Sequence, residues 1–237
     1  MLMVKQLKSP ENGQSPARSR RASVPSGDPV LLNLDREPVQ GRSQASLKRM
    51  LTAARDLMLE RDGEEFTLNE VSNTGSVSIG SIYHRFSSKD ELVRAVLEAE
   101  MHEIEAAETL VQQQSLDRSS SLDQFIKLYV LDFFEVLKRN SLFIRLNIRR
   151  AATDPAAATL GDLHEQRAAK RLREALKTFA NDIPGDLDLK ASYALHMIFF
   201  ALAWQLTPET QRPTKPQQHP DWVVQELCKM ISSYLKN

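Results

Sequence analysis

The fold is decided by residues 67–92, which read TLNEVSNTGSVSIGSIYHRFSSKDEL. Within this stretch, Thr67 and Glu70 have the spacing of a capping box, in which each side chain bonds the backbone amide of the other residue. Gly75 follows closely, and glycine permits a tight turn. The pattern therefore predicts a short helix that begins at Thr67 and ends near Gly75.

A second short helix is predicted directly after this turn. It opens at Ser78 and runs to about Arg85, with Ile82 and Phe86 facing inward. A second Ser-x-x-Glu box at Ser88 predicts the start of the next helix. Two short helices joined by a tight turn are typical of a helix-turn-helix, whose second helix can lie in the DNA major groove.

A longer helix upstream is expected to brace this pair. Its apolar residues recur at steps of three and four: Leu47, Met50, Leu51, Ala54, Leu57 and Met58. Asp62-Gly63 is predicted to end it, with the glycine in the left-handed conformation of a helix C-cap. Together the three helices predict a small DNA-binding domain.

Groups that hold phosphate are concentrated beside the second short helix. Tyr83, His84, Arg85 and Lys89 lie close together, and hydroxyls, cations and helix N-terminal amides all bind phosphate. The wider segment 44–105 is acidic, with seven Lys or Arg against twelve Asp or Glu. The helix pattern therefore supports DNA binding more strongly than the charge does.

Residues 67–92 resemble the DNA-binding signature of TetR-family regulators, most closely over 77–83 and then at Phe86, Lys89 and Leu92. The resemblance covers about residues 44–100. The chain departs from the family at the turn, where it has Gly75-Ser76 in place of the usual Ala-Gly, and in the preceding helix, where Ser72 replaces a small alanine.

The resemblance implies a DNA-binding role for nine residues. They are Thr67 and Ser78 on phosphates at helix starts, Ile79, Gly80 and Ser81 at base edges, Tyr83 on a phosphate with His84 or Arg85 beside it, and Lys89 on the DNA backbone. Because the base-facing residues are small or apolar, specificity is expected to depend on van der Waals contact and DNA shape.

The whole chain is predicted to be all-α, with three parts. Residues 1–43 are rich in Ser, Pro, Gly and Arg and form a disordered tail, either simply solvated or acting as an arm on phosphates or the minor groove. Residues 44–92 form the helix-turn-helix domain. Residues 93–237 form a larger helical domain for effector binding and dimerisation, and its central helix is apolar over much of its circumference from Leu122 to Leu137.

The resemblance also implies a homodimer and an effector pocket. The dimer interface is expected at about 187–206 and 221–236, and the effector is a small molecule of unknown identity. The candidate pocket residues are Phe125, Tyr129, Phe133, Phe143, Asn147, His164, His196 and Trp204. Aromatic residues at helical spacing also suit an ordinary core, so each position has this second interpretation.

The sequence argues against several other classes of protein. It contains no glycine-rich phosphate loop, no nucleophile elbow and no paired-cysteine or His-Glu-x-x-His metal motif, so no enzyme, cofactor or metal site is predicted. The longest apolar run, 194–204, is too short to span a bilayer. A single cysteine and no secretory signal favour the cytoplasm.

The function predicted from these observations is sequence-specific regulation of transcription. The chain is expected to be a repressor that a small-molecule effector releases from a palindromic DNA operator, with an activator as the less frequent alternative. The formal net charge of zero excludes a protein that coats nucleic acid by bulk charge. The alternative is a helical protein-interaction module whose helix-turn-helix is only structural.

Overall fold

The computed structural model describes residues 41–206 and 220–237. Within these ranges the chain forms α-helices and one short 3₁₀ helix, with no strand, which confirms the all-α class. The helices are α1 (Gly41–Glu60), α2 (Leu68–Thr74), α3 (Ile79–Arg85), α4 (Lys89–Asp117), α5 (Leu122–Arg139), α6 (Ser141–Ala151), α7 (Pro155–Leu176), α8 (Leu187–Gln205) and α9 (Pro220–Lys236), with the 3₁₀ helix at Lys177–Asp182. The predicted tail lies outside the described residues except for its last three, which belong to α1.

The start of α2 has the predicted capping box. Thr67 Oγ1 accepts a hydrogen bond from the Glu70 amide at 3.3 Å, and Glu70 Oε2 accepts one from the Thr67 amide at 2.7 Å. The box at the start of α4 is only half formed. Ser88 Oγ accepts from the Glu91 amide, but the Glu91 carboxylate accepts from the amide of Ser87, one residue before the expected donor.

Two turns of the N-terminal domain place a non-glycine residue in the left-handed region. Asp62 has φ 47° after α1, and Ser76 has φ 48° between α2 and α3. The prediction that Gly63 adopts this conformation is wrong, because the chain makes the left-handed turn one residue earlier. At the second turn, Ser76 occupies the left-handed position and Gly75 keeps a right-handed φ of −82°.

A single hydrophobic core runs from the N-terminal helices into the rest of the described chain. The helix α4 carries it, because this helix continues through the predicted domain boundary at residues 92 and 93 without a break. This helix contacts α1 and also α5, α6 and α7, and Leu92, Val96 and Ile104 are buried along it. The position of α2 and α3 is therefore tied to the larger domain through one continuous helix.

The helix α5 is central to the larger domain, as its composition predicted. Phe125, Ile126 and Val130 are fully buried, and the helix contacts α4, α8 and α9. The helix α6 packs between α4 and α7, and α8 packs on α7 and α9. In the described ranges no helix has the length and apolar character needed to cross a membrane.

Candidate DNA-binding surface and ligand cavity

The N-termini of α2 and α3 present hydroxyl groups to solvent. Ser78 caps α3 by accepting a hydrogen bond from the Ser81 amide at 3.0 Å, and the two serine hydroxyls lie 2.7 Å apart. Thr67 and both serines are exposed. These caps fix the helix ends while leaving hydroxyls and helix-end amides on one accessible surface, which is the arrangement that phosphate binding requires.

The outward face of α3 is open. Gly80, Ser81, Tyr83 and His84 are exposed, with Tyr83 60% exposed, whereas Ile82 on the opposite face is fully buried. A Cβ atom added to Gly80 would have no protein atom within 4 Å. The fold itself therefore does not require glycine here, and the space above this residue is free for a partner that approaches the backbone closely.

The two cations beside α3 are held by contacts within the protein. Arg85 Nη2 donates to Ser43 Oγ at 2.6 Å and so ties α3 to the first turn of α1. Lys89 Nζ lies 4.8 Å from the centroid of the Phe66 ring. Ile79 is half-buried and packs on the core. Of the nine predicted DNA-binding residues, these three are partly buried and the other six are exposed.

The acidic residues that flank α3 in the sequence are paired with arginines. Glu70 bonds Arg61, and the Arg61 guanidinium, followed by the Thr67 amide, lowers the pKa of Glu70 to about 2. Arg150 of α6 pairs with both Glu64 and Asp90. Much of the negative charge counted in segment 44–105 is thus compensated by guanidinium groups, several of them from beyond that segment.

A cavity of about 410 Å³ lies among α4, α5, α6, α7 and α8. Its walls are mostly apolar, with Phe133, Leu195 and Phe199 among them. Volumes of this order are typical of small-molecule sites, which are usually apolar with a few placed polar groups. The cavity is therefore the candidate ligand site in the described part of the chain.

Four of the eight predicted pocket residues line this cavity: Phe133, Asn147, His164 and His196. The other four lie elsewhere. Phe125 and Tyr129 stack on each other in the core, Phe143 lies beneath the Arg55 guanidinium at 5.6 Å, and Trp204 is 48% exposed on α8. Aromatic character alone does not separate these two groups of residues.

Sequence reasoning missed three acidic residues of the cavity wall: Glu108, Asp162 and Glu165. A signal for Glu108 existed, because it continues the apolar face of Met101 and Ile104 on α4 at helical spacing. Glu108 is only 4% exposed; its Oε2 lies 3.1 Å from both His164 Nε2 and Arg171 Nη2. Burial, followed by the nearby Glu108 carboxylate, raises the pKa of Tyr129.

The predicted dimer helices carry exposed apolar side chains. Large hydrophobic residues that are at least 47% exposed on α8 and α9 are Leu189, Tyr193, Phe200, Trp204, Trp222 and Met230. On α8 they recur at steps of four, seven and four residues, which places them on one stripe of the helix. Contiguous apolar surface of this kind usually marks an interface.

Comparison with known proteins agrees with the geometry of α1 to α4. Residues 50–96 match the family model of bacterial regulatory proteins of the tetR family. No curated protein sequence matches the chain. The chain is similar in fold to a protein from Mesorhizobium loti assigned as a TetR-family transcriptional regulator, with a TM-score of 0.65, 15% identity and coverage of 83% of this chain and 98% of that one.

Two further solved structures have the same fold. A transcriptional regulator from Rhodococcus sp. Rha1 has a TM-score of 0.59 and 20% identity, over 81% of this chain and 96% of that one. RolR in complex with the ligand resorcinol has a TM-score of 0.53 and 18% identity, over 82% of this chain and 89% of that one. The matched family and the structures with stated functions are transcriptional regulators and not enzymes.

Proposed function

We propose that this chain, which belongs to the TetR family of bacterial regulatory proteins through its helix-turn-helix domain, is a dimeric repressor that a small molecule releases from a palindromic operator. Its family and fold make it a DNA-binding transcriptional regulator. The observation that carries the proposal is the exposed face of α3, where the space above Gly80 is open and the hydroxyls of Ser78 and Ser81 are exposed.

The reading surface consists of the nine residues named above from Thr67 to Lys89. Ile79, Gly80 and Ser81 face the base edges, because they lie at the N-terminal end of the second helix of the pair, where Gly80 and Ser81 are exposed and Ile79 is half-buried. Thr67, Ser78 and Tyr83 hold phosphates. Arg85 and Lys89 supply positive charge at the edge of this surface, and His84 lies next to Tyr83 on its exposed side.

The dimer forms through α8 and α9, at about 187–206 and 221–236. The exposed apolar stripe of Leu189, Tyr193, Trp204 and its neighbours supports this assignment, since its burial against a second copy removes a large apolar area from water. A dimer also presents two reading helices at a spacing of roughly 34 Å, one turn of DNA. The helix-turn-helix domain of a single protomer contacts too few phosphates for tight binding at cellular salt concentration.

Effector binding reaches the reading helices through α6. One face of this helix, with Ile144 and Asn147, lines the cavity. Neighbouring residues pair with the N-terminal domain, Arg145 with Asp62 and Arg150 with Glu64. A ligand that favours a shifted position of α6 therefore also favours a shifted position of the helix-turn-helix domain. Its binding changes the relative populations of two dimer states. The resorcinol complex of RolR supports a small-molecule role for this fold.

The test is selection of bound sites from a random DNA pool at near-physiological salt. Recovery of a palindrome with half-sites about one turn apart is expected from the native chain, and Tyr83→Ala should abolish it. Leu110→Ala removes a side chain of similar exposure, 58%, far along α4, and should leave selection unchanged. No enriched sequence, with binding that disappears as salt rises, would contradict the proposal and favour the protein-interaction module.

A further inference from the structure

The charges around the cavity all have one sign. Glu108, Asp162 and Glu165 line it, and none of the described residues lining it is a lysine or an arginine. His164 and His196 are the other titratable groups of the wall, and each is bonded to one of these carboxylates. The cavity therefore offers anionic acceptors to a ligand and no permanent cation.

Glu108 is the deepest of these carboxylates. Arg171 approaches its Oε2 from outside the cavity and also bonds Glu105, so this guanidinium is already shared between two acids. Among the described residues, the other oxygen, Oε1, contacts only His164 Nε2, at 3.2 Å, and this nitrogen is shared with Oε2. Since each carboxylate oxygen can accept two hydrogen bonds, Oε1 retains capacity for a donor from a ligand.

Asn147 supplies an independent sign of a missing donor. It lies on the cavity wall and is only 7% exposed, yet its Oδ1 has no hydrogen-bond partner among the described residues. An unsatisfied buried acceptor is destabilising, because it has lost its water without gaining a partner. Because Asn147 and Glu108 line the same cavity, a bound molecule that carries hydrogen-bond donors would satisfy both side chains.

The remaining wall favours an apolar body for that molecule. Met101, Ile104, Phe133 and Phe199 give aliphatic and aromatic surface around the polar end. Aromatic faces also attract a cation when water is excluded. Asp162 and Glu165 are exposed at the mouth, where they attract a positively charged ligand as it enters.

We infer that the effector of this regulator is an amphiphilic amine: an apolar molecule with a protonated nitrogen that binds between Glu108 and Asn147. This inference rests on the proposed function only in taking the cavity as the effector site. A carboxylate ligand should bind more weakly, because it would bring a second negative charge beside Glu108 in a cavity whose described lining has no lysine or arginine.

The test uses three naphthalene probes of nearly equal size that differ in their polar group. They are an amine, 2-(2-naphthyl)ethylamine; an alcohol, 2-(2-naphthyl)ethanol; and a carboxylate, the anion of 2-naphthaleneacetic acid. Binding to the purified full chain is measured by calorimetry at pH 7 without DNA. The amine is expected to bind most tightly, the alcohol less so, and the carboxylate at least tenfold more weakly than the amine. Equal or tighter binding of the carboxylate, or no binding of any probe at 1 mM, would overturn the inference.

Variants assign the preference to the cavity. The quantity compared is the ratio of the binding affinity of the amine to that of the carboxylate. Glu108→Gln should reduce this affinity ratio by tenfold or more, and circular dichroism checks that the variant is folded. Asp162→Asn changes an exposed residue at the mouth without risk to the core and should reduce the ratio by a smaller factor. Asp182→Asn removes an equally exposed charge outside the cavity and should not change the ratio. An unchanged ratio in both cavity variants would overturn the inference.

Operator selection by the free protein is a separate measurement. If the probes fail while a palindrome is still recovered, the ligand class is wrong and the regulator stands. If the amine binds as expected but no DNA sequence is enriched, the cavity chemistry stands and the proposed function fails. The two results are therefore distinguishable.

Discussion

Arg150 of α6 and Glu64, which follows α1, form a two-point ion pair. Arg150 Nε lies 3.0 Å from Glu64 Oε1, and Nη2 lies 2.6 Å from Oε2. The side chains are only 14% and 19% exposed, and the pairing with Glu64 and Asp90 raises the pKa of Arg150. The pair joins the wall of the cavity to the domain that carries α3.

Replacement of Arg150 by methionine should destabilise the fold, because it removes the ion pair that joins α6 to the helix-turn-helix domain. The expected loss in the free energy of unfolding is about 2 kcal/mol, because Glu64 loses its two charged hydrogen bonds to Arg150 and keeps only the longer contact with Arg149, at 3.7 Å. Urea denaturation measures this loss. Lys138→Met breaks an exposed pair with Glu135 and should cost less than about 0.5 kcal/mol, so equal losses for the two variants would contradict the prediction.

Gly80→Ala should separate DNA binding from stability. The added methyl group meets no protein atom, and alanine is favoured over glycine inside a helix by about 1 kcal/mol, so the melting temperature should rise slightly. Operator affinity should fall at least tenfold because the methyl group occupies the space needed by a base edge. Leu110→Ala on α4, at an exposed position that does not line the cavity, is the control, and it should leave DNA affinity unchanged.

Substitutions at the two small residues of the turn between α2 and α3 should change the stability of the protein in opposite directions. Ser76→Gly should stabilise the protein by about 1 kcal/mol, since a left-handed conformation costs a side-chain-bearing residue about that much. Gly75→Ala should destabilise it by about 2 kcal/mol, because a Cβ there would lie 3.0 Å from the Arg49 carbonyl oxygen and 3.1 Å from Ala53 Cβ. Thermal unfolding of both variants checks this, and the same sign for both would contradict it.

The stability that the cap of α2 contributes should depend on pH, because the cap includes the Glu70 carboxylate. Its folded pKa of about 2 lies below the ordinary value of 4.5, so its contribution to stability is complete above 4.5 and is lost as the pH falls towards 2. A carboxyl titration by NMR should give a midpoint near 2 in the native chain and a higher midpoint in Arg61→Gln. The control variant Arg49→Gln should leave the titration midpoint of Glu70 unchanged. A midpoint near 4.5 in the native chain would contradict the prediction.

The dimer interface can be tested on α9. Met230 is 61% exposed, and Met230→Glu should convert the dimer to a monomer, because a buried unpaired carboxylate is costly at an apolar interface. Analytical ultracentrifugation measures the mass. Leu110→Glu, at a similarly exposed position on α4, should stay dimeric, and a dimeric Met230→Glu variant would place the interface elsewhere.

The local elements could be predicted from the sequence, and so could the exposure of most of the candidate DNA-binding residues. Thr67-x-x-Glu70 predicted a helix start because the capping bonds join residues only three apart, and the apolar spacing of α5 predicted its central position because helical periodicity depends on neighbouring turns. The candidate surface around Gly80 followed in the same way, since all of its residues lie within one short stretch. Such features depend on interactions that are local in the chain.

Only the tertiary structure decided which residues meet across long separations. The compensation of Glu64 by Arg150 and the position of Glu108 beside His164 and Arg171 join residues more than fifty positions apart, and no local spacing encodes them. The same holds for the division of the aromatic residues, where Phe133 lines the cavity and Phe125 fills the core. Both are apolar positions of one helix, and what separates them is which other helix packs against each side.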